Sequence, residues 1–370
     1  MGAASSYDQL TSRRRWLALF ALAAANLAVL VVVSSGISTL ADVLAPLTGH
    51  LIGLGFTASV ALLVRRWMLS LLAAGAAATL GVHAWLGLAW CCGLPSSPPP
   101  ADVTKVAARA PAQGLSVLAL NTWDHHPDPS RLAGYLASAA ADVVILSEFG
   151  ADKRLLLGAL KSAYPHQSRC GDTGKCSLAL LSRLPLEASG IGSIAAEGPD
   201  FVWARLEGSL TIIGTHLHRP SRNPWRHERQ MLALAEFLRR IDGPLVLAGD
   251  LNTSPWSGSF RRLRSTTGLT PAGILIPTWP AWPVAVPQVA LDHVLVSPDL
   301  AVTAAGTGPA VGSDHLPVWA RIERRAPLIE RARPQPSRLT SRLAAARPHL
   351  GGELLGDFGG EQVGAGHLRR

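Results

Sequence analysis

Acidic, amide and imidazole side chains recur where apolar stretches of this chain end. Asn121 follows Leu115–Leu120, and Glu148 follows Val143–Leu146 and Ser147. His216 lies near the end of Leu210–Leu217, and Asp250 and Asn252 follow Pro244–Ala248. Asp292 stands in Leu291–Val296, and Asp314–His315 precede Val318–Ile322. If each stretch is a strand, successive strand ends aim these groups into one cleft. Carboxylates and amides are hard oxygen donors of the kind that hold Mg²⁺. Such a cation polarises a phosphoryl oxygen while a carboxylate orients and deprotonates water. Donor histidines stabilise the charge that develops on the transferred group. Taken singly, each residue has an ordinary reading: Asp-x-Asn after a strand is usually a capped turn, an Asp-His pair is usually structural, and a Glu is usually solvated. The ordered set carries the inference. No serine nucleophile elbow, glycine-rich phosphate loop or zinc-spaced Cys/His cluster competes with it.

The elements between these residues predict the scaffold. Besides the strands named above, Ser177–Ser182 and Phe201–Leu206 read as strands. Pro129–Ala140 and Arg154–Ala163 have helical spacing, and so does Asn223–Arg240, with Met231, Leu232, Leu234, Ala235 and Leu238 on one face. Many strands with a few long helices predict an α/β (α+β) domain over 115–324.

The rest of the chain differs in kind. It is 48% hydrophobic and 16% charged over 370 residues, with a mean hydropathy of +0.24, too apolar for an ordinary soluble enzyme. Trp16–Val33, Leu47–Val64 and Trp67–Cys92 are apolar runs near the length of about 20 residues that crosses a bilayer as a helix. Arg13–Arg15 precede the first run and Arg65–Arg66 separate the second from the third, while Ser34–Pro46 has no Lys or Arg. The positive-inside rule then places the N-terminus and the Arg65–Arg66 turn in the cytoplasm, and everything after Cys92 outside. A signal peptide would account for the first run alone, and two spans in place of three would reverse the topology. The expected organisation is a membrane anchor of three transmembrane helices at 1–92, a Pro-rich linker at 93–114, the catalytic domain at 115–324 and a disordered basic tail at 325–370. The net charge of +9 is spread over anchor flanks and tail, and so does not by itself imply nucleic acid.

Six motifs resemble, in order, those of the endonuclease/exonuclease/phosphatase superfamily: Leu-Ala-Leu-Asn at 118–121, Ile-Leu-Ser-Glu at 145–148, Gly-Thr-His-Leu at 214–217, Gly-Asp-Leu-Asn-Thr at 249–253, Leu-Asp-His-Val-Leu-Val-Ser at 291–297 and Gly-Ser-Asp-His-Leu-Pro-Val at 312–318. The resemblance implies a four-layered α/β sandwich (DNase I-like) and a Mg²⁺ or Mn²⁺ cofactor. It implies that Glu148 is the main metal ligand, with Asn121 and Asp314 in the same shell. Asp250 would orient or deprotonate the water, Asn252 and His216 would contact the phosphate, and His315 would do so with its tautomer fixed by Asp292. One departure stands out: Trp123 occupies a position where several nucleases of the superfamily carry an acid.

An anchor of three spans before such a domain resembles a bacterial membrane-bound group that includes the teicoplanin-resistance phosphatases. That resemblance implies a phosphorylated lipid substrate, a polyprenyl pyrophosphate, cleaved at the outer face of the cell membrane. Thr278–Pro283 carries Trp279 and Trp282, which suit either a cleft lining or a membrane interface. An extracytoplasmic nuclease, a sphingomyelinase-like phosphodiesterase and a catalytically dead binding module are the alternatives. Outside the cytoplasm, Cys170 and Cys176 are expected to pair across the turn between them.

Overall fold

The computed structural model describes residues 38–53 and 114–325, apart from 127, 171–175, 195–197, 274–275 and 284–287, together with isolated positions between 16 and 31. Most of the three apolar runs, the linker up to 113 and the tail from 326 lie outside the described residues. Among those described, no helix is long and apolar enough to cross a membrane.

Two six-stranded sheets form the domain. The first has the order β11-β12-β1-β2-β4-β3 and the second β5-β6-β7-β8-β10-β9. In the first, β1 (Leu115–Asn121) runs parallel to β2 (Val143–Ser147) and antiparallel to β12 (Val318–Arg324). The sheet continues through β4 (Ala179–Ser182) to β3 (His166–Arg169), and β11 (Leu300–Thr307) closes its other edge. In the second, β7 (Leu210–His216) runs parallel to β8 (Leu245–Asp250), which pairs antiparallel with β10 (Asp292–Val296). β6 (Asp200–Leu206), β5 (Ala188–Ser193) and β9 (Thr270–Pro271) complete it.

The sequence forms these layers because the central strands are apolar on both faces, and strand side chains alternate. Val117, Ile145 and Leu180 point between the sheets and meet Val202, Ile212 and Val246. Their neighbours Leu118, Leu146 and Leu181 face outward under α2 (Pro129–Ala139) and α3 (Leu155–Ala159). On the far side, Ile213, Leu247 and Leu295 pack under α4 (Pro224–Leu238) and α5 (Gly258–Thr267). The result is the expected four layers, helix–sheet–sheet–helix. The sheets meet closely at Gly214, where an added Cβ would lie 2.6 Å from Ile145 Cγ2.

Helix α2 starts at Asp128, whose side chain accepts from the amides of Ser130 and Arg131, with Pro129 at the first helical position. Asn223 and Pro224 begin α4 in the same way. Cys170 and Cys176 are joined by a disulfide between β3 and β4. A further short helix, α1 (Thr39–Leu44), packs against α4.

Candidate active site

Pairing register brings the strand ends together. Asn121 lies opposite Ser147 in the parallel β1–β2 pair, so Glu148 follows at the same edge. In the other sheet Asp250 lies opposite both His216 and Asp292. Asn121 bridges the sheets: its Nδ2 donates to Glu148 Oε1 and to Asp250 Oδ2, each at 3.0 Å. Asn252 Nδ2 reaches Leu217 O at 2.9 Å, Asp250 Oδ2 at 3.2 Å and His216 Nε2 at 3.2 Å. His216 Nε2 lies 3.6 Å from Asp250 Oδ2 and 3.8 Å from Glu148 Oε1. His315 Nδ1 donates to Asp292 Oδ2 at 2.6 Å, and the same oxygen accepts from Thr278 Oγ1 at 2.6 Å.

The backbone here is bent in ways a sequence does not announce. Trp123, Glu148 and Asn252 all have left-handed conformations, with φ of 58°, 51° and 48°. Each costs on the order of 1 kcal/mol or more for a side-chain-bearing residue. Nearby hydrogen bonds hold them. Trp123 N donates to Asn121 Oδ1, Asn252 N to Asp250 Oδ1, and buried Lys153 Nζ to Glu148 O. Gly249, with φ of 137°, admits no side chain, because a Cβ would fall 2.0 Å from Thr215 O.

Electrostatics divide the cluster. Burial pushes the Glu148 carboxyl up, but the Asn121 amide, His216, the Asp124 N–H and Arg219 outweigh it and hold the pKa below the ordinary value. Arg219 donates to Glu148 Oε1 at 3.2 Å. Asp250 is fully buried, and burial together with the Asp292 charge raises its pKa. Asp292 stays below the ordinary carboxylate value: burial opposes ionisation, but His315 and Thr278 overcome it. For His315, burial disfavours the cation, yet Asp292 pushes the pKa up to about 10. Burial raises Asp314.

A divalent cation fits this donor set. Asp314 Oδ1 is buried without a hydrogen-bond partner, and its carboxyl is near enough to Glu148 to feel its charge. Glu148 and Asp314 offer hard oxygen donors, while Asn121 meets Glu148 through Nδ2 and its Oδ1 accepts from Trp123 N. Asp250, Asp292 and His315 form a tighter group, with ligand atoms within 4.8 Å of one another. His315 Nδ1 is engaged by Asp292, an arrangement that also suits proton handling.

The eight site residues named from the sequence gather where the ends of the two sheets meet. Sequence reasoning missed the supports. Lys153 carries no motif, Thr278 was visible only as part of a tryptophan-rich stretch, and Ser313, whose Oγ donates to Asn121 O at 2.6 Å and accepts from His315 N, sits inside the Gly-Ser-Asp-His motif. Trp123, the departure from the nuclease pattern, packs against Trp282 with ring centroids 5.9 Å apart.

Solved structures of similar fold include an endonuclease/exonuclease/phosphatase from Beutenbergia cavernae, at 20% identity, covering 57% of this chain and 72% of that one, with a TM-score of 0.44. Danio rerio TDP2 complexed with a single-strand DNA product matches at 17% identity over 56% of this chain and 98% of that one, TM-score 0.48. The human Nocturnin catalytic domain with bound sulfate matches at 18% identity over 57% and 95%, TM-score 0.45. No curated protein sequence matches the chain. Residues 118–315, more than half of the chain, match the model of the Endonuclease/Exonuclease/phosphatase family, and the chain belongs to that family of divalent-metal-dependent phosphoesterases.

Proposed function

We propose that this protein is a membrane-anchored, Mg²⁺-dependent phosphatase that hydrolyses a lipid pyrophosphate, of polyprenyl type, at the outer face of the membrane. The observation that carries the substrate class is the Trp123–Trp282 pair beside Asn121. It puts an apolar aromatic rim on the cleft, with Trp282 exposed, of the kind favoured where a protein meets a membrane interface. Arg219 adds a guanidinium against Glu148, suited to a second phosphate. Leu40 and Leu44 on the segment between two apolar runs, and Leu47 where the second run begins, are exposed at helical spacing, which supports a membrane-proximal position.

Glu148, Asn121 and Asp314 would hold the cation, which supplies polarisation of the phosphoryl oxygen when bound. Asp250 takes a proton from water as the water oxygen bonds to the terminal phosphorus. Its raised pKa makes it a competent base. His315, kept cationic by Asp292, donates to a non-bridging oxygen, and Asn252 and His216 steady the others. The bond from the terminal phosphorus to the bridging oxygen breaks, leaving lipid monophosphate and inorganic phosphate.

The test compares hydrolysis of undecaprenyl pyrophosphate, plasmid DNA and sphingomyelin by the full chain with Mg²⁺, with Asp250→Ala as control. Phosphate release from the polyprenyl substrate, lost in the variant, is expected. Nicking of DNA without phosphate release would move the protein to the nuclease branch, and choline phosphate release to the sphingomyelinase branch.

A further inference from the structure

Helix α5 starts without a cap of its own. Ser257 is its N-cap residue, but its side chain makes no capping bond. Ser257 Oγ instead donates to Ser254 O at 2.7 Å and pairs with Thr253 Oγ1, tightening the loop that follows Asn252. Thr253 O in turn meets His293 Nε2 at 2.8 Å. The catalytic loop therefore uses the serine that would otherwise cap the helix.

The missing acceptor comes from more than two hundred residues away. Asp42, buried on α1, accepts from Gly258 N through Oδ1 at 2.7 Å and from Ser259 N through Oδ2 at 2.9 Å. A carboxylate at this place satisfies two orphan donors and complements the helix dipole. The same segment makes two further contacts. Thr39 Oγ1 bonds to Glu228 Oε2 on α4, and His50 Nε2 lies 2.6 Å from Gln288 Oε1. Gln288 N donates to Trp279 O at 2.8 Å, within the loop that carries Thr278 and Trp282.

We propose that residues 38–50 are an intramolecular strap that holds both loops of the catalytic cleft, with Asp42 completing the helix that follows Asn252. Asp42 is thus a positioning residue, acting through the 250–259 backbone without touching substrate. The strap does not depend on which phosphoester is cleaved. It does require that 38–50 and the catalytic domain lie on the same side of any membrane the chain crosses.

Hydrogen–deuterium exchange on the full chain in detergent micelles tests this, comparing wild type with Asp42→Ala and Asp42→Asn. In the alanine variant, exchange at Gly258 and Ser259 should rise about five- to tenfold, as loss of a cap implies. A smaller rise should spread through 250–257, 278–283 and 288–289. The asparagine variant, keeping one acceptor, should fall between. Turnover should drop several-fold with little change in Mg²⁺ affinity. Unchanged exchange at 258–259 would overturn the proposal, as would an even rise across the whole domain in both variants, which would make the segment a general stabiliser.

Discussion

The two edges that meet in the cleft are built from similar residue types and do opposite work. At the end of the first sheet, Glu148 is buried but has a depressed pKa and a guanidinium at 3.2 Å. At the end of the second, Asp250 and Asp292 are fully buried, and their pKa values are driven apart, one up and one down. A carboxylate that stays ionised among donors is suited to hold a cation. Two carboxylates buried side by side cannot ionise equally, and in the proposed mechanism one is the base while the other keeps a histidine charged. Environment, more than residue type, assigns the roles.

The largest effect should come from the proton-handling edge. Asp250→Asn is expected to lower kcat/KM by about 10³-fold, in the range of lost general-base catalysis, while Mg²⁺ binding by calorimetry changes little. Loss of binding together with loss of rate would erase the distinction between the edges. Glu148→Gln should cost about 10²-fold at low Mg²⁺, and the loss should shrink as Mg²⁺ is raised. A deficit independent of Mg²⁺ concentration would remove Glu148 from the metal shell.

The pH profile sharpens the same contrast. His315 is raised to about 10 by Asp292, so the cation and the stability it brings are complete below the ordinary histidine value. Both are lost as pH rises through about 10. Asp292 is depressed, so its share is present above the ordinary carboxylate value and lost as pH falls. Activity should therefore keep an alkaline limb near 10 in wild type. In Asp292→Asn that limb should slide down toward the ordinary histidine value, with a drop at neutral pH of about 10- to 100-fold. An unmoved limb would mean that His315 does not set it.

The smallest effect on catalysis should come from Cys170→Ser with Cys176→Ser. The bridge closes a loop across a sequence separation of 6, and its removal should cost about 2 kcal/mol by the loop-entropy model. Thermal unfolding should shift down by several degrees with kcat unchanged at low temperature. A change in kcat would place the 170–176 turn in the cleft.

Reading the sequence found the centre of each sheet and missed its borders. Leu115–Leu120, Val143–Leu146 and Pro244–Ala248 are buried on both faces, so each shows as an apolar run. β3, β5 and β11 escaped notice, and all three are edge strands. His166–Arg169 is polar and Ala188–Ser193 is made of small residues apart from the exposed Ile191, because one side of each meets solvent. Helix α5 has little apolar periodicity beyond Phe260 and Leu263, and its start depends on Asp42, which no local pattern reveals. The disulfide was legible from two cysteines flanking a turn.

By itself the sequence determined which groups could do chemistry, and in what order they occur. Asn121, Glu148, His216, Asp250, Asn252, Asp292, Asp314 and His315 announce themselves because each ends or adjoins an apolar strand, and strand alternation is local physics. Tertiary structure decided what each group is worth. Parallel and antiparallel register set Asp250 against both His216 and Asp292, and burial between sheets turned like carboxylates into unlike ones. Left-handed backbone at Trp123, Glu148 and Asn252, and the Asp42 contact with α5, depend on segments far apart in the chain. A pKa and a strained dihedral are properties of the surroundings, and those surroundings exist only once the two sheets have closed on each other.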